Sequence, residues 1–430
     1  MKKPSFICRI AAIAAVFPIG AAAQSDVYTR EITELAERAV IQRAFRAIDE
    51  LDATTVANHI TLTEIAAPPF MEEQRAERFA EMLREAGADS VWIDEVGNVL
   101  ALRRGQPGGR TVAVDAHLDT VFPEGTDVTV RMSGDTLYAP GIGDDTRGLS
   151  LVITVLRALN EADVRTRDDI LFIGTVGEEG LGDLRGVKHL FREGGPRIDT
   201  WISVDGGNPS RVVHRGLGSH RYRVTMKGPG GHSWGAFGLG NPHHALGLAI
   251  EKFVEAAEPY TSEGPRTSYS VGRIGGGTSV NSIPFESWME VDMRSVSPER
   301  LNGVDALFQR AMREGLAEAN RVRRDGDSLT VDIVMIGDRP SGTTDLNAPI
   351  VQRALATISY FGHEPNPSIS STNSNIPISL GIPAITISRG GAGGNGHALS
   401  EWWVNKDGAS GVKQALLIVA AEAGLSELVR

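Results

Sequence analysis

The chain has 430 residues, with 54 acidic and 43 basic side chains, a formal net charge of −11 and one cysteine. This length predicts two or three domains, each large enough for its own core. An acidic chain without a basic run disfavours nucleic acid and anionic membranes as partners, and we expect neither. A single cysteine excludes an intrachain disulfide and a multi-thiolate metal site.

Residues 1–23 have the pattern of a secretory leader. Lys2 and Lys3 precede an apolar run from Ile10 to Ala23 that ends in small residues, which predicts cleavage after Ala23. The run is shorter than the roughly 20 residues of a spanning helix, so a membrane anchor is the weaker interpretation. Cleavage would leave 40 basic against 54 acidic residues and no cysteine. We therefore expect a periplasmic or secreted protein.

In the first part of the mature chain, residues 24–211, alternating elements recur from Glu72 to about Gly207. Residues 71–87 have helical spacing, and apolar strand segments follow in VWIDE, NVLALRR, TVAVDA, DILFIGTV and TWISV, with the helical segment LSLVITVLRALNEA among them. Strands that alternate with helices predict a mostly parallel mixed sheet with helices on both faces.

The pattern changes over residues 212–334. HRYRVTMKG and ESWMEVDMRS alternate with period two, as half-exposed antiparallel strands do, and helical segments cover 243–257 and 298–320. The first pattern returns over 335–430, with a helix near Leu346, the strand AITIS and a closing helix from Asp407. We therefore expect a catalytic domain interrupted by an inserted α+β domain.

Acidic and imidazole side chains follow the apolar strands of the first pattern. Each motif alone is typical of a turn or a helix N-cap. Ligand sites lie at the carboxyl ends of parallel strands, however, so we expect the side chains to meet on one rim of the sheet. They are His117, Asp119, Asp144, Asp145, Glu178, Glu179, Asp205 and His397.

So many carboxylates in one place require a neutralising cation. Imidazole nitrogen with carboxylate oxygen, and no sulfur, suits zinc or a similar divalent ion. Two ions fit this number of ligands better than one, and paired sites hydrolyse amides and esters. The sequence therefore predicts a two-ion hydrolytic site.

Seven motifs in order resemble those of a known family: DAHLDTVFP, GIGDDTRG, GEEGLGDLRG, SVDGG, GGHSWG, NSIPFESWMEVDMRS and GNGHALSEWW. They are similar to the motifs of the dinuclear zinc metallopeptidases, the family of peptidase T, carnosinase, glutamate carboxypeptidase, aminoacylase and succinyl-diaminopimelate desuccinylase. The resemblance covers nearly the whole mature chain. It implies two divalent ions per chain, with zinc expected first and cobalt or manganese as alternatives. It also implies that the inserted domain is a lid and dimerisation domain, and hence a homodimer.

The resemblance also implies roles for single residues. Asp144 bridges the two ions, and the bond from Asp144 to Asp145 is cis. Asp119 bonds the far nitrogen of His117. Glu178 is the general base for a hydroxide shared by the ions, and it then passes the proton to the leaving amine. The remaining ligands are His117 and Asp205 for one ion, and Glu179 and His397 for the other.

Three residues of the inserted domain are assigned by the same resemblance. His232 stabilises the oxyanion in the active site of the partner subunit. Asn281 and Arg294 hold polar ends of the substrate, and the planar fork of an arginine suits a carboxylate.

Other classes of function stay open. GHSWG matches the G-x-S-x-G elbow of serine hydrolases, so a serine esterase would use Ser233 with Asp345 and His397. Its context is unfavourable, because Gly228-Pro229-Gly230 separates the motif from the strand and no helix follows promptly. A non-catalytic binding protein and a dinucleotide site at GGAGGNG are weaker hypotheses.

Two residues bear on the substrate. Asp205 stands where related aminopeptidases and dipeptidases have Asp and carboxypeptidases or deacylases have Glu, which favours short peptides with a free amino end. Asn373 stands where many relatives have Asp, which removes a charge near the expected pocket. Hydrolysis of N-acyl amino acids, or carboxypeptidase action, is therefore the alternative.

Overall fold

The structure, a computed structural model, describes residues 19–426, with side chains from residue 26 onward. The leader predicted at residues 1–23 falls mostly outside the described residues and stays a prediction. Within 19–426, no helix has both the length and the apolar character needed to cross a membrane.

The described residues form ten α-helices and nineteen strands. The helices are α1 (Ile19–Glu37), α2 (Ala39–Thr63), α3 (Glu73–Glu85), α4 (Thr146–Glu161), α5 (Arg185–Leu190), α6 (Pro242–Thr261), α7 (Pro298–Val322), α8 (Pro349–Tyr360), α9 (Asn375–Ser379) and α10 (Gly408–Ala423). The strands of the first part are β1 (Ser90–Ile93), β2 (Val99–Arg103), β3 (Thr111–His117), β4 (Arg131–Ser133), β5 (Thr136–Tyr138), β6 (Asp169–Thr175), β7 (Thr200–Val204) and β8 (Arg211–Gly216). The later strands are β9 (Gly218–Lys227), β10 (Gly231–His232), β11 (Thr267–Gly276), β12 (Ser282–Ile283), β13 (Glu286–Ser295), β14 (Thr330–Arg339), β15 (Gly342–Thr343), β16 (Asn366–Ser370), β17 (Ala384–Ile387), β18 (Ala392–Gly394) and β19 (Trp402–Val404).

A nine-stranded sheet forms the centre of the larger domain. Its order is β1-β2-β6-β3-β7-β17-β8-β15, with β16 paired to β8. The four inner strands β6, β3, β7 and β17 are parallel to one another. Alternate residues of these strands pack against helices on opposite faces: Val112 and Val114 face the larger core, and Ala113 faces the core that contains α5 and α9. The predicted mostly parallel sheet with helices on both faces is confirmed.

The inserted domain is a four-stranded antiparallel sheet, β11-β13-β9-β14, with α6 and α7 packed on one face. Burial alternates strictly along β13, because one face covers the helices' apolar residues and the other is half-exposed. We call this domain the lid. Its limits differ from the predicted 212–334: β8 belongs to the large sheet, and β14 continues to Arg339 in the lid sheet. Hydrogen-bond partners decide this boundary, and apolar periodicity does not reveal them.

The sequence analysis assigned no element to residues 24–70, where the structure has α1 and α2. Helix α2 packs along α4, and the two are joined by a hydrogen bond of 2.7 Å between the hydroxyls of Thr55 and Thr154. A small sheet, β18-β19-β5-β4, was also not predicted. Its strands of three residues are too short for period-two alternation to be recognised.

His59 of α2 is fully buried in this region. Its Nε2 donates to the carbonyl of Ile142, its ring lies edge-on to Trp403 at 4.8 Å, and its Nδ1 has no partner in the described structure. Burial, together with the charge of Arg147, lowers the pKa of His59 to about 3. The imidazole is therefore neutral in the folded protein.

We predict that His59 makes the protein less stable in mild acid. Because its folded pKa lies below its unfolded value of 6.5, stability falls as pH decreases from 6.5 toward 3, by about 2 kcal/mol at pH 5 through this group. The His59→Asn variant, which keeps a donor near Ile142, should lose that part of the pH dependence. Urea unfolding of both proteins at pH 7 and pH 5 measures the difference. Equal pH dependence in the two proteins would contradict the prediction.

Candidate metal centre

The carboxyl ends of the four parallel strands meet at one rim of the large sheet. His117 is the last residue of β3, and Asp205 follows directly after β7. Glu178 and Glu179 follow β6 after a short turn, and Arg389 lies just beyond the end of β17. The sheet topology therefore places on one rim side chains that are more than 200 residues apart in the chain.

Among the described residues, three groups of potential ligands lie at this rim, and two of them share Asp144. His117, Asp144 and Asp205 form one group, and Asp144, Glu179 and His397 form the other; within each group the ligand atoms lie within 4.8 Å of one another. Asp144 Oδ1 lies 3.1 Å from His117 Nε2, and Asp144 Oδ2 lies 3.3 Å from His397 Nε2. The two oxygens of one carboxylate thus face the two groups, which is the arrangement that a bridging ligand requires.

The backbone that carries Asp144 is held by Glu401. The carboxylate of Glu401 accepts the backbone N–H groups of Gly141, Gly143 and Asp144 at 2.8–2.9 Å. The bond from Asp144 to Asp145 is cis, as predicted from the resemblance. The analysis of the sequence missed Glu401, although an acidic residue four positions after His397 in a glycine-rich loop was a visible signal.

The predicted contact between Asp119 and the far nitrogen of His117 is present, and it is made through the main chain of Asp119. His117 Nδ1 lies 3.0 Å from the main-chain oxygen of Asp119, whereas the carboxylate is 3.7 Å away. The carboxylate instead accepts the backbone N–H groups of Glu178 and Glu179 at 2.9 and 2.7 Å. A buried carboxylate is best satisfied by the donors that approach it, and here two amides of the neighbouring turn do so. Asp119 therefore orients the turn that carries Glu178 and Glu179.

The histidines show how strongly the rim attracts a cation. Burial of His117 would lower its pKa, but the hydrogen bond to Asp144 and the charges of Asp145 and Asp119 outweigh burial and raise it well above the usual value. Hydrogen bonds to Asp144 and Glu179 raise the pKa of His397 to about 10. Both imidazole nitrogens face carboxylate oxygens, so a divalent ion between them could be bound by the nitrogen and the oxygen together.

The carboxylates respond in two ways. Burial of Asp144 alone would raise its pKa, but hydrogen bonds from His117 and His397 lower it well below the usual value. Burial, with the charge of Asp144, raises the pKa of Asp205. Burial also raises the pKa of Glu178 well above the usual value, against the charge of Arg339. This donor set of two imidazoles and several oxygens, with one carboxylate between two groups, fits a pair of divalent ions.

Arg389 is a rim residue that the sequence analysis missed. Its Nη1 lies 3.2 Å from Asp144, 3.8 Å from Asp145 and 3.9 Å from Asp205. The guanidinium therefore supplies a fixed positive charge beside the first ligand group. An isolated arginine after a strand gave no signal, because only the fold places it among these carboxylates.

The three lid residues lie in two places. His232 in β10 pairs with Ser282 of β12. The main-chain oxygen of Asn281, the residue before Ser282, accepts the backbone N–H of Ser233 at 2.9 Å. Arg294 is on the half-exposed face of β13, bonded to Asp292 at 2.7 Å. In the described part of the chain, none of the three has a recorded bond to a metal-ligand candidate.

The serine-esterase constellation is not assembled. Ser233 follows a strand of two residues, and the next helix begins only at Pro242, so the sharp strand-to-helix elbow is absent from this segment. Asp345 accepts the backbone N–H of Asn347, and His397 faces Glu179 and Asp144. The three side chains have different partners.

Asn373 does not line an open pocket. It is 3 % exposed, and its amide donates to Asp115 Oδ2 and to Thr175 Oγ1, both at 2.7 Å. Ser203 donates to the other oxygen of Asp115 at 2.6 Å. The neutral Asn373 thus belongs to a buried hydrogen-bond network beneath the rim, in which Asp115 is the carboxylate. The predicted effect of Asn373 on substrate recognition stays a prediction.

Comparisons with known proteins agree with this architecture. The model of the family described as Peptidase family M20/M25/M40 matches residues 113–420. A putative [LysW]-lysine/[LysW]-ornithine hydrolase of Pyrococcus abyssi is 35 % identical over 120 residues, 28 % of this chain and 32 % of that protein. Carboxypeptidase G2 of Pseudomonas is 24 % identical over 236 residues, 52 % of this chain and 54 % of that protein. The matched regions thus span about half or less of these two relatives.

Solved structures share the fold over most of their length. The aminopeptidase PepT of Bacillus cereus has a TM-score of 0.68 at 20 % identity, covering 86 % of this chain and 98 % of that one. Human carnosine dipeptidase 1 has a TM-score of 0.67 at 18 % identity, covering 90 % and 99 %.

The mixed sheet with paired ligand groups at its rim and an inserted lid defines a metal-dependent hydrolase of the metallopeptidase and amidohydrolase class. The family match extends over more than two thirds of the sequence. The chain belongs to peptidase family M20/M25/M40, and the resemblance inferred from the motifs is confirmed.

We predict two divalent ions per chain, and one in the His397→Ala variant. Loss of His397 removes a ligand of the second group and leaves His117, Asp144 and Asp205 in place. Equilibrium dialysis against zinc, followed by elemental analysis, gives the number of ions per chain. His363→Ala serves as the control, since His363 lies outside both groups, and should retain two ions. An unchanged ion count in His397→Ala would contradict the assignment.

Proposed function

We propose that this protein hydrolyses the amide bond of short peptides, as a dipeptidase, tripeptidase or aminopeptidase. The observation that carries the proposal is the position of the Glu178 carboxylate. Its ligand atom lies within 4.8 Å of those of His117 and Glu179, which belong to different ligand groups. A base between two ions can reach a water that both ions contact.

Zinc, the first expectation for the ions, would polarise the substrate carbonyl and make a bound water acidic enough to lose its proton near neutral pH. Glu178 would accept that proton. Its Oε1 is bonded to Arg339 at 3.0 Å, and its Oε2 has no recorded partner within residues 19–426. Oε2 is therefore the atom that takes the proton and later delivers it to the leaving amine nitrogen.

His232 has the tautomer that an oxyanion donor needs. Its Nδ1 accepts the backbone N–H groups of Trp234 and Gly235, both at 3.2 Å. The neutral ring therefore carries its proton on Nε2, at an exposed position of the lid. This supports the role of an oxyanion donor, delivered either by lid closure or by a partner subunit in a homodimer.

Two candidate activities differ in which end of the substrate the protein recognises. Asp205, and the fold shared with an aminopeptidase and a dipeptidase, favour peptides with a free amino end. The sequence relatives carboxypeptidase G2 and a succinyl-diaminopimelate desuccinylase, 30 % identical over 243 residues, favour an N-acyl amino acid amidohydrolase or a carboxypeptidase. Both candidates use the same site and chemistry.

A matched set of four substrates decides between them. We expect the zinc-loaded protein to cleave trialanine and its C-terminal amide, and to cleave N-acetyl-trialanine and N-acetyl-alanine much more slowly. If only the C-terminal amide of trialanine resists cleavage, the protein is a carboxypeptidase. If acetate is released from the N-acetyl substrates, it is an amidohydrolase. Absence of hydrolysis in all four, with two ions bound, would refute the peptidase proposal for these short peptides.

Glu178→Gln should keep both ions and lose turnover. The amide cannot accept a proton, so kcat should fall by about 10²–10⁴-fold, while KM and the zinc content stay close to wild type. Steady-state kinetics on the best substrate and elemental analysis provide both measurements. Turnover within tenfold of wild type would exclude Glu178 as the base.

His232→Ala should lower kcat by about 10²–10³-fold, the usual effect of removing one oxyanion donor. Whether His232 acts in the partner's site is measured by mixing this variant with Glu178→Gln. In a heterodimer, one site would have both an intact Glu178 and an intact His232 from the other chain, so activity should reappear. No recovery after verified subunit exchange would place His232 in the site of its own chain. His244→Ala, a neighbouring lid histidine, is the control.

The proposed site of action is outside the cytoplasm. The leader pattern at residues 1–23 supports export, with cleavage after Ala23. Intact mass measurement of protein from the periplasmic fraction would show a chain beginning at Gln24. A full-length chain retained in the cytoplasm would contradict export.

A further inference from the structure

The side chain of one lid arginine, Arg339, extends into the larger domain. Arg339 is the last residue of β14, yet its side chain is buried against the base: Nη1 donates to Glu178 Oε1 at 3.0 Å, and Nη2 donates to the main-chain oxygen of Glu178. Nη1 also donates to Ser371 at 3.1 Å. The side chains of Arg339 and Glu178 are 5 % and 7 % exposed. One guanidinium therefore contacts both the side chain and the backbone of the same glutamate.

Two further bonds join the lid to the same stretch of chain, residues 178–183, which we call the base segment. Arg221 of β9 donates to the carbonyl of Gly180 at 3.0 Å. The backbone N–H of Asp338 donates to Asp183 Oδ1 at 2.9 Å. The base segment thus has contacts with two lid strands, the central strand β9 and the edge strand β14, in addition to its contacts within the larger domain.

The larger domain holds only part of the base segment. The carboxylate of Asp119 accepts the N–H groups of Glu178 and Glu179, which orients the backbone. The Glu178 side chain has rotatable bonds beyond that backbone, and its recorded side-chain bond is the one to Arg339. Since Arg339 occupies Oε1, it also leaves Oε2 as the oxygen directed to the proton.

The position of Arg339 in the chain makes this contact depend on the lid. The two connections between the domains run side by side: Gly342 pairs with Gly216, and Arg339 pairs with Ser219. Arg339 therefore lies where the chain leaves the lid. A rotation of the lid about these connections would move the guanidinium relative to the base segment.

We propose that Arg339 is a positioning residue that orients the carboxylate of Glu178, and that through it the orientation of the lid sets the geometry of the base. The proposal rests on the proposed function, because it assigns to Glu178 the role of the base. Within residues 19–426, Arg339 is hydrogen-bonded to Glu178 and Ser371 and has no hydrogen bond to the two ligand groups that share Asp144.

Arg339→Met and Arg339→Lys test the proposal. Methionine keeps much of the length without the donors, and a displacement of a catalytic group by about 1 Å can cost up to 10²-fold in rate. We expect kcat of Arg339→Met to fall by about 30-fold or more, with KM within about threefold of wild type and two zinc ions retained. The kcat of Arg339→Lys, which keeps one donor group and the positive charge, should lie between that of Arg339→Met and that of the wild type. Hydrogen exchange of residues 178–183 should accelerate in the methionine variant.

Arg103→Met is the matched control. Arg103 is also a buried arginine that donates to a carbonyl, that of Val164, and to a side chain, that of Asn160, but it lies at the opposite end of the sheet. Its loss should reduce stability without lowering kcat. If Arg339→Met does not fold, the lysine variant alone carries the comparison of kcat with KM.

Each result decides the proposal. A raised KM with unchanged kcat would make Arg339 a substrate contact and would overturn it. Unchanged exchange of residues 178–183 would show that Arg339 does not hold the base segment, and would also overturn it. If the wild-type protein hydrolyses no substrate, the proposed function fails, and the exchange measurement still decides whether Arg339 holds this segment.

Discussion

The concentration of carboxylates at one rim of the sheet is the constraint to which the rest of the structure responds. Asp144, Asp145, Glu178, Glu179 and Asp205 lie close together, and burying several negative charges without cations is unfavourable. The chain supplies two fixed cations, Arg389 beside Asp144 and Arg339 beside Glu178. The remaining negative charge of the carboxylates lies at the two ligand groups, one with His117 and the other with His397. A pair of divalent ions therefore completes an electrostatic balance that the protein side chains begin.

The backbone around the rim is held by carboxylates that are not themselves ligand candidates. Glu401 fixes the loop of Asp144 through three amides, and Asp119 fixes the turn of Glu178 and Glu179 through two. Rigid backbone matters here, because ions of this kind accept little variation in ligand distance. The site thus depends on acidic residues of two kinds, those that face the ions and those that orient the loops carrying them.

The lid contributes to the site through separate regions. His232 and Asn281 lie on an exposed edge, from which they would reach a substrate only after closure or association. Arg339 and Arg221, in contrast, are bonded to the segment that carries the base. The lid strands β9 and β14 are therefore physically connected to residues 178–183.

The sequence by itself determined the class of fold, the family and the acidic and imidazole residues of the rim, but not Arg389 or Glu401. Apolar strands that end in His117, or are followed by Glu178 or Asp205, carry their own signal, because parallel strands place their carboxyl ends together. The cis bond at Asp144 followed from the resemblance alone. Helices α1 and α2 and the short-stranded sheet lay outside what the patterns revealed.

Only the tertiary structure decided the partners of the supporting residues. It joined Arg339 to Glu178 across 161 positions and Glu401 to the Asp144 loop across 257 or more. It also placed Asn373 in a buried hydrogen-bond network with Asp115, and directed the carboxylate of Asp119 to two backbone amides. Residue type and spacing along one strand are local properties of the chain. A hydrogen bond between distant segments depends on how the strands and the lid are arranged in space.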